Sequence, residues 1–370
     1  MKDIRTTLIC FALVMLFSMP VLAEWTVTIL HPSGYMNSYA QDISGGEQAG
    51  YVYVGDGFNH AGLWNGMAGS FVDLNPPGHV DSRAYGLSGG QQVGYGRHPA
   101  TGYQYRAALW NGTAASWVDL NPAGYTESQA YGVWHGQQVG YGWGSTTGGN
   151  SHAGMWSGTA ASWIDIHPAG YHSSIARGFS DGQQVGSAVV GDMIHAGLWS
   201  GSAASFVDLH PAGYSQSLAE GTSGGTQAGY AYVTGGGGPA HAGIWSGTAA
   251  SWIDIHPAGY TQSEVHGISS GRQVGFATAG NKPHAGIWNG TAASWLDLHN
   301  LLGSEYTSSR AEGIEVVSSD VWIGGSAYNS VASREEAILW HNVIPEPSSI
   351  LTLAGGLAGI GGLALRKRRR

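Results

Sequence analysis

His152-Ala-Gly-Met-Trp156-Ser-Gly-Thr-Ala-Ala-Ser-Trp163-Ile-Asp165-Ile-His167-Pro168-Ala-Gly-Tyr171, continued by Ser174-Ile-Ala-Arg-Gly178-Phe-Ser-Asp-Gly-Gln-Gln-Val-Gly186, is the fullest copy of a phrase written seven times along the chain. Its first tryptophan recurs as Trp64, Trp110, Trp199, Trp245, Trp288 and Trp340, at spacings of 43 or 46 residues and 52 for the last. A period of this length marks a solenoid, propeller or array, in which each unit buries its apolar face only against its neighbours. Function then has to be read from the array rather than from a single motif.

The second copy shows how one unit folds. Ser82 to Ser88 reads as a strand, Gly89-Gly90 turns the chain, and Gln92 to Gly96 reads as the next strand. After a loop containing His98-Pro99, Arg106 to Trp110 forms a third strand. Asn111-Gly112 predicts a two-residue hairpin, with Ser-Gly at the same place in three other copies (Ser157-Gly158, Ser200-Gly201, Ser246-Gly247), and Ser116 to Leu120 a fourth strand. No stretch has a helical period. Four short antiparallel strands per unit form the blade of a β-propeller. Ala and Gly in the first strand suit a crowded central axis, and the tryptophans suit the wider space between blades.

The two ends test that model. Thr26-Val-Thr-Ile-Leu30-His31-Pro32 is a fourth-strand phrase without a blade, and Ala337-Ile-Leu-Trp340 is a third-strand phrase without a successor. Together they complete one blade, which closes the ring and removes free sheet edges. The expectation is an all-β, seven-bladed propeller over residues 24–343, with the N-terminal strand completing the last blade.

The chain has 370 residues, 61 Gly, 15 Trp and 18 Tyr, with 11% charged residues against 42% hydrophobic. Residues 1–23 read as a secretory signal: Lys2 and Arg5, an apolar run from Leu8 to Leu22, and Val21-Leu22-Ala23 as the cleavage site after Ala23. The single cysteine, Cys10, lies inside that signal, so the exported body has no disulfide, thiol nucleophile or cysteine ligand. Removing residues 1–23 and 344–370 leaves a body near −14, which disfavours nucleic acid and anionic lipid as partners.

Pro345-Glu346-Pro347, a short apolar Gly-rich stretch from Ile350 to Leu365 and the terminal Arg366-Lys367-Arg368-Arg369-Arg370 come in that order at the end of the chain. This arrangement resembles the PEP-CTERM sorting signal of Gram-negative bacteria. The resemblance implies recognition by an exosortase, loss of the tail, and delivery to the cell surface or extracellular matrix after transient anchoring. The alternative is a lasting single-span anchor through a transmembrane helix, with the Gly355/Gly359 pair as a packing face. The repeat itself resembles the HAF-type extracellular repeat, in which a His-Ala-aromatic-Leu-Trp strand leads to Asp-Leu and Val-Gly strands. It departs in having Gly or Ala after His-Ala, Arg106 in place of one His, and Ile29 in place of one Asp. That resemblance implies an extracellular β-rich protein.

Candidate chemistry is sparse. The G-x-S-x-G pattern around Ser88, Ser180, Ser223 and Ser269 sits between two strands at one repeat position, so it reads as a turn and not as a nucleophile elbow. Asp165/His167, Asp208/His210, Asp254/His256 and Asp297/His299 share a strand face, but two ligands are too few for a structural metal site. These pairs are expected to satisfy backbone groups at the strand end. His60, His152, His195, His241 and His284 open the third strand and suggest a repeated hydrogen bond between blades. No catalytic residue, metal site or cofactor is expected.

Loop aromatics are the best ligand candidates: Tyr103, Tyr105, Trp134, Trp143 and Tyr328. The expected function is a binding or scaffold module of the cell envelope or biofilm matrix, contacting polysaccharide or matrix protein through loops on one propeller face. A propeller-housed glycan hydrolase or lyase is the alternative. It would need symmetry-breaking acids such as Asp56, Glu264, Glu312, Glu335 and Glu336 to converge.

Overall fold

The computed structural model describes residues 24–234 and 238–343. The expected export signal with Ala23, and the expected sorting tail with Pro345, Glu346, Pro347, Arg366, Lys367 and Arg368, lie outside the described residues. Among the described residues no helix is long and apolar enough to cross a membrane. Residues 27–316 and 322–340 form one large unit. The described part of a small second unit comprises 24–26, 317–321 and 341–343, where the Thr26 hydroxyl donates to the His341 carbonyl at 3.3 Å.

Seven four-stranded antiparallel sheets make a seven-bladed propeller. We name the strands of each blade A to D from the axis outward. The A strands of blades 1 to 7 are Asn37–Ser44, Asp81–Ser88, Glu127–Trp134, Ser173–Ser180, Tyr214–Ser223, Ser263–Ser269 and Tyr306–Val317. Blade 7 is composite: Glu24–Ile29 supplies strand D beside strand C, Arg334–Val343, as the two orphan phrases require.

Glycine and alanine permit the crowding near the axis. A methyl group on Gly94 of strand B would fall on the Arg83 carbonyl of strand A, and Gly50, Gly140, Gly186, Gly229, Gly275 and Gly325 stand in the same relation to their own A strands. The strand C tryptophans are buried between blades. Trp110 of blade 2 packs with Ala49, Leu63 and Leu74 of blade 1, and Trp64 of blade 1 with Leu30, Ala337 and Leu339 of blade 7. Their indole N–H groups have no hydrogen-bond acceptor. The large apolar area that each ring buries offsets that cost.

One hydrogen bond repeats at all seven junctions. A buried serine of each A strand accepts the backbone N–H of an alanine in the preceding blade's strand C. Ser82 takes Ala61, Ser128 Ala107, Ser174 Ala153, Ser217 Ala196, Ser263 Ala242 and Ser309 Ala285, at 2.9–3.0 Å. At the closing junction Ser38 takes Ala337 at 2.8 Å. The same alanine accepts from strand D, and Leu30 N–H to the Ala337 carbonyl at 2.8 Å reproduces the Leu74–Ala61 bond of blade 1. The closing junction therefore uses the same bonds as the other six.

The C-to-D connection differs from the two-residue hairpin expected at Asn111-Gly112. Gly112 takes a positive φ, but the turn runs on through a short 3-10 segment, Ala114–Ser116. The Ser116 hydroxyl accepts from Asn111 N–H at 2.8 Å and donates to the Thr113 carbonyl at 2.6 Å, which tightens a wider loop. Strand D shrinks to Val118–Asp119 as a result. A buried strand B glutamine fixes the loop, Gln92 accepting from Gly112 N–H at 2.8 Å. The Gly89-Gly90 turn after Ser88 forms as expected, both glycines at positive φ.

Candidate functional site

Two sets of polar residues stand out, one repeated around the blades and one unique to the axis. The repeated set explains the His and Asp columns. His152 Nδ1 meets Asp165 Oδ2 at 2.8 Å, and the same pair forms at His60–Asp73, His195–Asp208, His241–Asp254 and His284–Asp297. Arg106 replaces the imidazole and reaches Asp119 at 2.6 Å. This bond lies within a blade, between strands C and D, and not between blades as expected from the spacing. The other aspartate oxygen accepts the backbone N–H two residues on, for example His167 to Asp165 at 2.8 Å, as expected. A tyrosine at or just before the start of strand A bonds strand D of that same blade: Tyr171 to Asp208, Tyr214 to Asp254 and Tyr260 to Asp297, at 3.0–3.1 Å. The strand-end histidines are also tied down. His167 stacks on His152 at 3.9 Å and bonds the Ser174 hydroxyl at 2.7 Å. Burial, followed by the charge of His152, lowers the pKa of His167 and favours the neutral ring. These groups satisfy one another.

The axial set arises from a backbone irregularity. In blades 1 to 6 strand A carries a β-bulge, and the extra residues are Gln41, Tyr85, Tyr131, Arg177, Glu220 and His266. Glu312 holds the same place in the seventh repeat, between Ala311 and Gly313. A bulge re-aims a side chain out of the regular strand alternation. Here all seven line one axial cavity of about 410 Å3. The residue before each is a buried Ala or Val, and the residue after is Gly in every copy except Asp42. Between near-constant neighbours, the ring position takes five residue types in seven copies.

Charge divides this ring. Blades 4 to 7 supply Arg177, Glu220, His266 and Glu312, whereas blades 1 to 3 supply an amide and two phenols. His266 is held between carboxylates, Nδ1 to Glu312 at 2.6 Å and Nε2 to Glu264 at 3.3 Å. Burial alone would lower its pKa, but the charge of Glu312 and the hydrogen bonds to both carboxylates outweigh it and raise the value to about 10. The ring is therefore an imidazolium at neutral pH. Burial raises the pKa of Glu220, opposed by Arg177. The Arg177 Nε lies 3.7 Å from Glu220, too far for a hydrogen bond, and this buried nitrogen has no hydrogen-bond partner. The guanidinium sits 5.3 Å over the Tyr131 ring. Burial raises the phenol pKa of Tyr85 and Tyr131, so both stay neutral. Beside the ring, Asp42 accepts the N–H of Leu87 and Ile43 at 2.8 Å, and burial pushes its pKa up to about 7. A second cavity of about 300 Å3 adjoins Gln41 and Glu312, with Tyr39, Tyr51, Arg310 and Glu335 in its wall.

Among the described residues no cluster of three or more His, Cys, Asp or Glu is arranged to hold a metal ion. In the Glu264–His266–Glu312 trio both imidazole nitrogens already face carboxylates. Of the symmetry-breaking acids, Glu264 and Glu312 meet at His266. Glu336 instead bonds the Tyr306 hydroxyl at 2.6 Å and Arg334 at 2.7 Å, and Asp56 occupies a strained turn at φ 53°.

The loop aromatics do not converge. Tyr103 is exposed in the B–C loop of blade 2, with its carbonyl accepting from Arg97 at 2.7 Å. Tyr105 opens strand C, edge-on to Tyr95 at 4.9 Å. Trp143 ends strand B of blade 3 and donates to the Gly149 carbonyl at 2.7 Å. Tyr328 lies half-buried near the end of strand B in blade 7. These four belong to the B–C end of their blades. Trp134 ends strand A, at the opposite end, and packs edge-on to Phe179 at 5.6 Å. It is separated from them because strand A runs antiparallel to strand B. Gln41, Tyr85, Tyr131, Arg177, Glu220 and His266 escaped the sequence reading. Their signal is a variable column within an otherwise constant strand.

No protein-family model matches the chain, and no curated protein matches its sequence. Solved structures do resemble it. The β-propeller domain of the Trilobed protease from Pyrococcus furiosus, described as having an open velcro topology, superposes with a TM-score of 0.55 at 10% identity, covering 84% of this chain and 98% of that one. A puromycin hydrolase (S511A mutant, complexed with PGG) gives 0.54 at 12% identity, covering 81% and 53%. The acylaminoacyl peptidase of Pyrococcus horikoshii gives 0.52 at 10%, covering 86% and 53%. The chain thus spans about half the length of the last two. At such identity the likeness concerns the fold alone, a β-propeller.

Proposed function

We propose that the chain is an exported binding or scaffold module of the cell surface or extracellular matrix, which holds polysaccharide or a matrix protein and carries out no reaction on it. The PEP-CTERM-like tail supplies the route, through an exosortase-type processing enzyme and transient anchoring in the membrane. The observation that carries the binding reading is the contrast between a self-satisfied repeat and one variable, polar axial ring. Catalysis by paired carboxylates needs groups free to take and give protons. Glu264 and Glu312 are both engaged with His266, which favours recognition over turnover. The peptidase names attached to similar structures belong to those proteins.

The test is to mix the purified exported protein with the polysaccharide of the cell that makes it and to follow both binding and product. Saturable binding without shortened chains is expected. Release of shortened or unsaturated product would replace this reading with the hydrolase or lyase, and inertness toward polysaccharide and matrix protein alike would leave a structural coat.

A further inference from the structure

We propose that the axial cavity is a subsite for one neutral, pyranose-sized polyhydroxyl unit, either a free sugar or the end residue of a polysaccharide chain. This deepens the binding reading and rests on it. The volume, about 410 Å3, falls within the range of small-ligand sites, roughly 300–1,000 Å3. The lining then selects the chemistry. An anion would face Glu220 and Glu312, a cation would face Arg177 and the His266 imidazolium, and an apolar molecule would strand all four. Hydroxyl groups both donate and accept, so a polyol can use carboxylates, guanidinium, phenols and the Gln41 amide together.

A second observation points to an occupant. The buried Arg177 Nε has no acceptor, and its nearest carboxylate is at 3.7 Å. A buried donor left unmatched is destabilising, and a ligand oxygen placed there would supply the missing acceptor. The bulges supply the means. Each inserts one residue that the sheet ladder does not use, so ring side chains can change without disturbing strand pairing.

The experiment is calorimetric titration of the full exported protein with neutral hexoses and disaccharides, amino sugars, uronic acids and the native polysaccharide. At least one neutral sugar is expected to bind, and Arg177→Met should weaken it tenfold or more. Gln41→Trp, which fills the cavity while leaving every charge in place, should abolish that binding without lowering the thermal midpoint. Trp143→Ala, outside the cavity, should leave it unchanged. Protection of the site by free sugar but not by polysaccharide identifies a free-sugar site, and competition between the two identifies a chain-end site. Polysaccharide binding that survives Gln41→Trp, with no neutral sugar bound, would overturn the axial subsite while sparing the broader reading. Failure of every sugar and of the polysaccharide would overturn both, and a preference for amino sugars or uronic acids would overturn the neutral assignment.

Discussion

The junctions between blades and the ring on the axis are built from the same repeat, yet they obey opposite rules. At the junctions one serine–alanine bond appears seven times, and a strand-end histidine bonds that serine in five of the seven. On the axis seven equivalent positions hold five kinds of side chain. A position that carries the fold must suit the same neighbours in every blade and so stays constant. A position released from the ladder by a bulge has no such constraint. Sameness therefore marks the scaffold in this molecule, and variation marks the site.

Substitutions can break or sharpen this contrast. The largest effect is expected at a junction core: Trp199→Ala empties a fully buried indole and should cost about 3–5 kcal/mol in denaturant unfolding. If the loss were below about 1 kcal/mol, the inter-blade tryptophans would not be the main packing element. Ser128→Ala leaves the buried Ala107 N–H without its acceptor and should cost about 1–3 kcal/mol by the same measurement. Asp208→Ala removes the partner of both His195 and Tyr171, but its side chain is about one-third exposed. Solvent screening limits the expected loss to about 1 kcal/mol.

The axis should respond differently. His266 has a folded pKa raised to about 10 against an ordinary 6.5, so the folded state holds the proton more tightly. Its contribution is fully present below about pH 6.5 and is lost as pH rises toward 10. The thermal midpoint should fall across that window in the native protein, and His266→Gln should flatten the fall. An unchanged slope would show that the trio is not coupled to folding. The smallest effect is expected at Gln41→Leu, within about 0.5 kcal/mol of the native stability, because no junction bond depends on that side chain.

Much of the architecture is legible in the sequence because it depends on repetition. The tryptophan period sets the blade count, and the strand phrases at Leu30 and Trp340 are recognisable as halves of one blade. The C-to-D turn is not legible in the same way. Asn111-Gly112 signals a tight hairpin, but the Ser116 hydroxyl, five residues from Asn111, captures its N–H and builds a wider loop. The partner of the His column is hidden for a related reason. His152 and Asp165 stand 13 positions apart and meet only because that loop returns strand D beside strand C. The axial ring is the deepest miss. Tyr131 in isolation reads as one strand aromatic among many, and only the register slip between Ala130 and Gly132 turns it inward.

The seventh junction is chemically the same as the other six, although its two sides come from opposite ends of the polypeptide. Where the backbone is interrupted is thus arbitrary with respect to the forces that hold the circle. A gene rearranged to start at Asp81 and finish at Pro77, with residues 343 and 24 joined by a short linker, should give a protein of the same shape. Any segment appended at the new ends could then be placed at a chosen blade.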